Sequence, residues 1–489
     1  MPVKTALSWL GAMAAHLPQE PLQQLQIDSR QVREGDVFLA LPGHQQHGKA
    51  FIGQALQQGA ALVLSDEVPA EFAEHSRVLL LPDLLIQLQE LACRFYQDPA
   101  AALQLIAVTG TNGKSSTACF VQQLAQQLLQ RSAVIGTLGY GRPDKLTPLP
   151  NTTPHQVELQ KILAGLKQDN CALVAMEVSS HAMVQGRVEG LRFEVAIFTN
   201  LSRDHLDYHG TMEAYGAAKA RLLTPTYCRQ AVVNVSDAYG AGLARQLEIP
   251  YCAVGKLDDC QQHSRYLGYH QVEAVAGGFR CQLQTAEQQC RLQLPLMGDF
   301  NIDNAVAAIA ALWLQGFDLA ELCQAASLLG AIPGRMEQFD FPHPLTLVVD
   351  FAHTPDALQL ALQALRPHCQ GHLWCVFGCG GDRDLGKRPL MGRVAQQYAD
   401  RVVITSDNPR HEPMEQICQQ IAAGMSDEAC YQIEPDRELA IKLALAEAQA
   451  GDMILLAGKG HETYQQIGDS YRDYDERAFI RQLQREMNL

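Results

Sequence analysis

LQLIAVTGTNGKSS, residues Leu103–Ser116, is the stretch whose reading decides the fold. Its first half is a continuous apolar run, as expected of a strand buried on both faces of a parallel sheet. The run ends in the turn Gly110, Thr111, Asn112 and Gly113, then Lys114, Ser115 and Ser116, after which Val121, Leu124, Leu128 and Leu129 recur at helical spacing. Strand, glycine turn and helix together aim the N–H groups of Gly110 to Lys114 and the positive end of the helix dipole at one anion. Common phosphate loops carry a glycine five residues before that of the Gly-Lys pair; here the position is Val108. The shortened loop still predicts a nucleotide site, with Lys114 reaching the terminal phosphates and Ser115 or Ser116 offering a hydroxyl to magnesium. The bland alternative is a glycine turn with a surface lysine.

Working outward, the βα alternation repeats. VFLALPG and AALVLSD read as strands around the helix FIGQALQQGA; the pattern restarts near Asp98-Pro99, and CALVAMEVSS, VAIFTN and QAVVNV are further buried strands. A third unit follows Arg335, with strands LTLVVDFA, HLWCVFGCGG, RVVITSD and DMILLAG between helices. At 489 residues the chain is too long for one core, and a prior of roughly 150 residues per domain suggests about three. The expected boundaries are 1–97, 98–337 and 338–489, all α/β, and ligands should gather at the carboxyl ends of the strands.

A net charge of -15 argues against nucleic acid or anionic membrane as partner, so an anionic substrate must be held by local arginines, lysines, magnesium and loop amides. With 47% apolar residues, no membrane-length apolar run and an amphipathic opening segment unlike a signal peptide, a cytoplasmic protein is expected. The 14 cysteines lack paired CxxC spacing and are expected as buried free thiols.

Several motifs lie at strand ends. MEVSSHAMVQGRV places Glu177, Ser179, His181, Gln185 and Arg187 just past a strand, where a carboxylate can ligate a hard cation. TNLSRDHLDYHG packs Asp204, His205, Asp207 and His209 into six residues, which also admits a zinc hydrolase site, or histidines merely hydrogen-bonded in a loop. In GDFNIDNAVAAIAA, Asn301 and Asn304 could bond a base or cap a helix. Arg335, Asp350 and His353 open the third unit and would suit phosphates and ribose. GCGGDRDLGKRPLMG, SDNPRHEP and AGKGHETYQ offer Arg383 and Arg410 for carboxylates, with Asn408 and Glu462 for an ammonium group, the profile of an amino-acid pocket; plain turn chemistry is the alternative.

TGTNGKSS, NTTP, EVSSH, TNLSRDHLDYHG, AAKARLL, GDFN, GRME, DFAHTPDAL, GCGGDRD, DNPR and GKGHE occur in this order along essentially the whole chain, which thereby resembles the Mur ligases. The resemblance implies an N-terminal domain for a UDP sugar, a central phosphate-loop ATPase with a parallel sheet, and a C-terminal Rossmann-like domain that admits an amino acid. It implies that Ile27, Ser29, His44, Gln45 and Gln46 hold the uridine end, and that Asn151, Thr152, Thr153, Ser179, Gln185 and Arg187 line the rest of that substrate. It assigns ATP to the loop Gly110–Ser116 with Asn304, Arg335 and Asp350, and magnesium to Ser115, Glu177, His205 and a carbamylated Lys219. The implied reaction passes a carboxylate through an acyl phosphate, which an amine then displaces; Lys114, Glu177, His205 and Lys219 offset the charge gathered between two anions.

Within the family, DNPR at 407–410 is similar to the members that add meso-diaminopimelate in peptidoglycan precursor synthesis, and implies Arg383, Asp407, Asn408, Pro409, Arg410, Gly458 and Glu462 as its pocket. Lysine lacks the second carboxylate that an arginine can bind. Two departures are Ser115 and Ser116 in place of common threonines, and Phe351 where a tyrosine is usual. A monomer is expected. The rivals are a folylpolyglutamate-type ligase, disfavoured by the N-terminal unit with DSR and GHQQHG, a phosphate-loop switch or motor, and the zinc hydrolase.

Overall fold

The computed structural model describes residues 22–43, 46–129, 131–142, 145–275, 277–341, 345–426 and 430–487; His44, Gln45 and the amphipathic opening segment lie outside them. The chain divides into two compact units, Met1–Cys252 and Ala253–Leu489.

The first unit opens with a four-stranded, wholly parallel sheet, β1 (Leu25–Gln26), β2 (Val37–Ala40), β3 (Leu62–Ser65) and β4 (Val78–Leu80), in sequential order. The helix Leu84–Phe95 buries Leu84, Leu88, Leu91, Ala92 and Phe95, a stripe at helical spacing. That stripe packs with Leu39, Leu62 and Leu64 in a core that also takes Val157, from the helix Gln156–Gln168.

The second sheet of this unit contains β5 (Gln104–Thr109), β6 (Ser132–Gly136), β7 (Gly139–Arg142), β8 (Lys145–Thr147), β9 (Leu173–Glu177), β10 (Phe193–Phe198) and β11 (Cys228–Asn234), in the order β11-β10-β5-β9-β6-β7-β8. Strands β11, β10, β5, β9 and β6 are parallel, as their uninterrupted apolar sequences predict, and β7 and β8 extend the edge as an antiparallel hairpin. The register pairs Val108 with Glu177 and Thr109 with Phe198, so the ends of β9 and β10 flank the end of β5.

The division falls within β12 (Tyr251–Lys256); β13 (Tyr266–Val275), β14 (Gly278–Gln284) and β15 (Gln289–Leu294) follow, antiparallel from β13 onward. Then comes a six-stranded sheet: β16 (Glu337–Phe341), β17 (Leu345–Asp350), β18 (Leu373–Phe377), β19 (Arg401–Ile404), β20 (Tyr431–Ile433) and β21 (Met453–Ala457), ordered β16-β17-β21-β18-β19-β20 and parallel except for β16. Alternate residues serve opposite faces: Val348, Cys375 and Leu455 join one core cluster, while Leu347, Val349, Val376, Ile454 and Leu456 join another. Helices on both faces make this sheet doubly wound, in keeping with the Rossmann-like domain that the resemblance implies. β22 (Tyr464–Ile467) and β23 (Ser470–Asp473) form a separate hairpin. Among the described residues all cysteines are free and most are buried, as expected; Cys430 is exposed.

The last helix, Glu476–Met487, is tied to the sheet by an ion pair between Arg437 and Glu476, both fully enclosed. Arg437 also donates to the carbonyl of Ala457 at 3.0 Å, and Tyr474 Oη donates to Glu476 at 3.2 Å. Removing one partner strands the other charge in a dry site, so Glu476→Ala should lower the free energy of unfolding of this half by about 3–5 kcal/mol. Urea denaturation followed by circular dichroism checks this, and a loss below about 1 kcal/mol would contradict the burial argument.

Candidate functional site

The turn after β5 takes backbone conformations that glycine favours, with φ of 145° at Gly110 and 81° at Gly113. Space is a second constraint at Gly110, where a Cβ would lie 1.9 Å from Thr199 Oγ1. Thr199 Oγ1 and Asn200 Nδ2 both donate to the carbonyl of Asn112, at 2.7 and 3.1 Å, and Asn112 N donates back to Asn200 Oδ1 at 2.9 Å. Lys114 Nζ donates to the carbonyls of Gly110 and Thr111 at 3.1 and 2.7 Å. With those carbonyls engaged, the first turn of the helix Lys114–Leu129 presents its amides to an anion.

Lys219, on the helix Met212–Ala220, is buried and donates to the same Gly110 carbonyl at 2.6 Å. Burial, reinforced by the charge of Lys114, pushes its amine down to about 6. Its neighbour Tyr215 lies under the ammonium, 4.4 Å from ring centroid to Nζ, and its hydroxyl is 3.2 Å from Thr111 Oγ1. His181, His205 and His209 gather nearby, with ring centroids 4.9 and 5.5 Å from His181 to the other two. His209 Nε2 contacts Ser180 Oγ at 2.9 Å, and Asp204 accepts from the amide of His205, a residue held at φ 52°. Among the described residues no three His, Cys, Asp or Glu side chains converge as a metal cage, which leaves the zinc reading without a ligand set. The donors fit a hard ion better: the carboxylate of Glu177 is buried at the end of β9, Ser115 and Ser116 are buried hydroxyls at the helix start, and Thr109 Oγ1 is enclosed without a hydrogen-bond partner among the described residues. Glu177 Oε1 accepts from Thr137 N at 2.8 Å, and Gly136 leaves it room, since a Cβ there would lie 2.2 Å away.

Adjoining Glu177, the structure brings together most of the expected sugar-side residues. Thr153 Oγ1 donates to the Glu177 carbonyl at 2.9 Å and accepts from Ser179 N at 3.1 Å, and Thr152 Oγ1 is 3.0 Å from Thr137 Oγ1. Ser179 caps the helix Ser180–Val184. Arg187 donates to the Thr153 carbonyl and to Gln185 Oε1, both at 2.6 Å, while Gln185 reaches Tyr208 Oη at 3.3 Å. Asn151 is exposed beside them. Ile27, Ser29 and Gln46 lie apart, around the N-terminal sheet; Ser29 is buried and donates to Gln54 at 3.1 Å.

In the second unit, Asn301 and Asn304 are inside the helix Phe300–Trp313, and its cap is Asp299, which accepts from Phe300 N at 2.9 Å. Asn301 Nδ2 donates to the Met297 carbonyl at 2.7 Å and Asn304 Nδ2 to Asn301 Oδ1 at 3.1 Å, so neither is the capping residue. The Arg335 guanidinium sits 4.6 Å over the Phe351 ring, and its Nε is enclosed without a hydrogen-bond partner among the described residues. Asp350 at the end of β17 accepts from Met336 N and Ala352 N, both at 2.8 Å.

The three loops after β18, β19 and β21 converge. Asn408 Nδ2 donates to Glu462 Oε2 at 2.9 Å; Arg410 Nη1 donates to the Gly381 carbonyl at 2.8 Å, and Gly381 N to the Asn408 carbonyl at 2.9 Å. Asp407 and Pro409 are buried, Arg383 is exposed on the first loop, and Gly458 is held at φ 110° beside Asp407. Behind them Arg388, fully buried, donates to both oxygens of Glu412 at 2.7 and 2.8 Å and holds that carboxyl down at about 2.

Comparison with known proteins bears on these loops. Three profiles match in succession: Mur ligase family, catalytic domain, over residues 21–96; Mur ligase middle domain over 108–312; and Mur ligase, glutamate ligase domain, over 334–460. A UDP-N-acetylmuramoyl-L-alanyl-D-glutamate–2,6-diaminopimelate ligase from Vibrio vulnificus is 44% identical over 469 residues, 94% of each chain. The chain belongs to the Mur ligase family.

A solved structure of a UDP-N-acetylmuramoyl-L-alanyl-D-glutamate–2,6-diaminopimelate ligase is 36% identical and superposes over 96% of each chain with a TM-score of 0.69. A second, the UDP-N-acetylmuramoylalanyl-D-glutamyl-2,6-diaminopimelate–D-alanyl-D-alanyl ligase of Acinetobacter baumannii, is 17% identical with a TM-score of 0.67 over 96% of this chain and 94% of that one, and shares the fold. Residues of this Mur ligase that sequence reasoning passed over are Thr137, Thr199, Tyr215, Arg388 and Lys459. Thr199, Arg388 and Lys459 lie inside the motifs TNLSRDHLDYHG, GCGGDRDLGKRPLMG and GKGHE, but nothing in their spacing distinguishes a buried partner from a turn residue.

The position of Lys219 yields a pH test. Its amine titrates near 6 when folded against a usual 10.5, so folding expels a proton anywhere between these values. The associated stability is present in full above about 10.5, declines as the pH falls toward about 6, and is constant below that. In buffer depleted of carbon dioxide, Lys219→Met should therefore be more stable than the parent by about 2–4 kcal/mol at pH 7, with the gap shrinking toward pH 10. Thermal unfolding across that range measures it; a Met variant that is less stable at pH 7 would sink the assignment.

Proposed function

We propose that this Mur ligase couples ATP cleavage to amide formation, adding meso-diaminopimelate to UDP-N-acetylmuramoyl-L-alanyl-D-glutamate in the cytoplasm. The observation that carries the reading is the loop cluster of the second unit, where the guanidinium of Arg410 stands next to the Asn408–Glu462 pair. One end supplies a cation for a carboxylate, the other a carboxylate oxygen of Glu462 that can accept a hydrogen bond from an ammonium group, which suits an amino-acid head. The relative from Vibrio vulnificus, named for the same ligation, supports the choice of amino acid.

On this reading residues 1–97 serve the uridine end, 98–337 the nucleotide and 338–489 the amino acid. Lys114 and the amides of Gly110 to Lys114 hold the terminal phosphates, and Ser115, Glu177, His205 and Lys219 as its carbamate would hold magnesium. Magnesium held there would supply positive charge to the phosphate oxygens. A substrate carboxylate attacks the γ-phosphate, the bond to the β-phosphate oxygen breaks, and ADP leaves an acyl phosphate. Arg187, fixed by Gln185 and the Thr153 carbonyl, presents a cation on the sugar side, and Ser179 and Thr152 add hydroxyls. The family resemblance adds Asn304, Arg335 and Asp350 as residues that serve the nucleotide. The diaminopimelate amine displaces phosphate from the acyl group, and no side-chain nucleophile takes part; rate comes from positioning and electrostatics.

The test mixes protein, ATP, magnesium and the UDP-muramoyl dipeptide, and follows phosphate release with meso-diaminopimelate or L-lysine. Release should depend on diaminopimelate; equal rates with both, or release with neither, would sink the reading. Arg410→Ala should raise the KM for diaminopimelate roughly 10- to 100-fold while leaving that for ATP within about twofold, since one charged hydrogen-bonding partner is lost. A comparable rise in both constants would make Arg410 a support of the fold.

A further inference from the structure

Lys459 lies between Gly458 and Gly460, both at positive φ, in a sequence that reads as a solvated loop. Its side chain is nevertheless fully buried. The ammonium donates to Asn408 Oδ1 at 3.0 Å, to Glu462 Oε2 at 2.7 Å and to the Tyr464 carbonyl, and Asp407 Oδ1 is 3.7 Å away. Burying a lysine is costly unless every donor is matched, and here the matching partners are groups of the loop cluster itself.

The geometry has two consequences. Asn408 Oδ1 receives both Lys459 and Gln466 N, the latter at 2.9 Å, so the amide is oriented and its Nδ2 faces Glu462. Glu462 Oε2 then receives both Asn408 and Lys459, leaving Oε1 without a partner among the described residues. Lys459 also cancels the charge of Glu462, so the pair is neutral toward an incoming cation.

We propose that Lys459 is a positioning residue that sets amino-acid selectivity by holding Glu462 in one orientation and neutralising it. A neutral pair gives a lone ammonium, as on the side chain of lysine, little advantage. An amino-acid head that also carries a carboxylate gains the additional contact with Arg410. Selectivity therefore comes partly from withholding net negative charge from the pocket. This rests on the diaminopimelate reading above.

The experiment measures kcat and KM for meso-diaminopimelate and, at high concentration, for L-lysine, in the full-length enzyme with the UDP-muramoyl dipeptide and ATP. Lys459→Met should raise the KM for diaminopimelate at least 10-fold and narrow the kcat/KM preference over lysine by a similar factor, with the KM for ATP within twofold. Lys459→Gln, which keeps a donor toward Asn408, should recover part of that preference. Glu462→Gln, at a partly exposed position, does not depend on either lysine variant folding. It leaves Lys459 only the longer ion pair with Asp407 at 3.7 Å, and should depress lysine use several-fold more than diaminopimelate use. Lys459→Met with Glu462→Gln should lose no more than the worse single variant. Equal losses for both amino acids in Glu462→Gln, or a falling kcat with unchanged preference in Lys459→Met, would overturn the proposal. A parent enzyme that forms no product with diaminopimelate would instead overturn the functional reading.

Discussion

One carbonyl oxygen organises the nucleotide end of this protein. The Gly110 carbonyl receives two lysine Nζ donors, Lys114 at 3.1 Å and Lys219 at 2.6 Å, and no ordinary peptide turn would bring two lysines there. The arrangement turns the carbonyls of the loop inward and leaves its amides for an anion. It also explains the glycine: the peptide must pass so close to the end of β10 that a methyl group would overlap Thr199. Two like charges on one acceptor repel, and that repulsion adds to burial in driving the Lys219 amine toward its neutral form.

A related device recurs in the second unit with different residues. Parallel strands end with carbonyls that have no ladder partner, and loops that must stay open for a ligand cannot satisfy them with more backbone. Buried cations do so instead. Arg388 donates to the Gly380 carbonyl at 3.1 Å, Arg437 to those of Ala457 and Ser406 at 3.0 and 3.3 Å, and Lys459 to that of Tyr464. Each cation is in turn neutralised by a carboxylate, Glu412, Glu476 or Glu462. The loops are thereby stiffened by ion pairs, and Arg410 and Asn408 hang from that frame.

How much of this was legible in the sequence depended on the physics of each element. Strands buried on both faces, such as β5, β9, β18 and β21, leave unbroken apolar runs and were readable. β14, GFRCQLQ, is buried at alternate positions and carries charge between them, so a search for continuous runs passes over it. The family was legible because its motifs retain their order along the chain. The grouping of Thr152, Thr153, Ser179, Gln185 and Arg187 was implied only by that resemblance, and the hydrogen bonds joining them cross sequence gaps of up to 34 residues. Lys459 was illegible for a plainer reason: flanking glycines mark a loop, and a loop lysine is solvated far more often than buried.

Backbone conformation also positions these side chains. Non-glycine residues in the left-handed region cost of order 1–3 kcal/mol each and persist only where their surroundings hold them. Among the described residues eight adopt it; Gln97, Asp98, Asn170 and Gln271 lie outside the site motifs, whereas His205 at φ 52°, Met336 at 48°, Asp382 at 52° and Arg410 at 50° stand in motifs tied to nucleotide or amino acid. Arg410 shows what does the holding: its N–H donates to the Gln466 carbonyl at 3.1 Å and its carbonyl accepts from Gly468 at 2.7 Å, so the β22–β23 hairpin clamps it on both sides. Met336 is held in the same way by Asp350, through its amide at 2.8 Å. A relaxed backbone at 410 would swing the guanidinium off the Gly381 carbonyl and away from Asn408. The hairpin thus stabilises the strained residue, and the strained residue fixes the direction from which a carboxylate must approach.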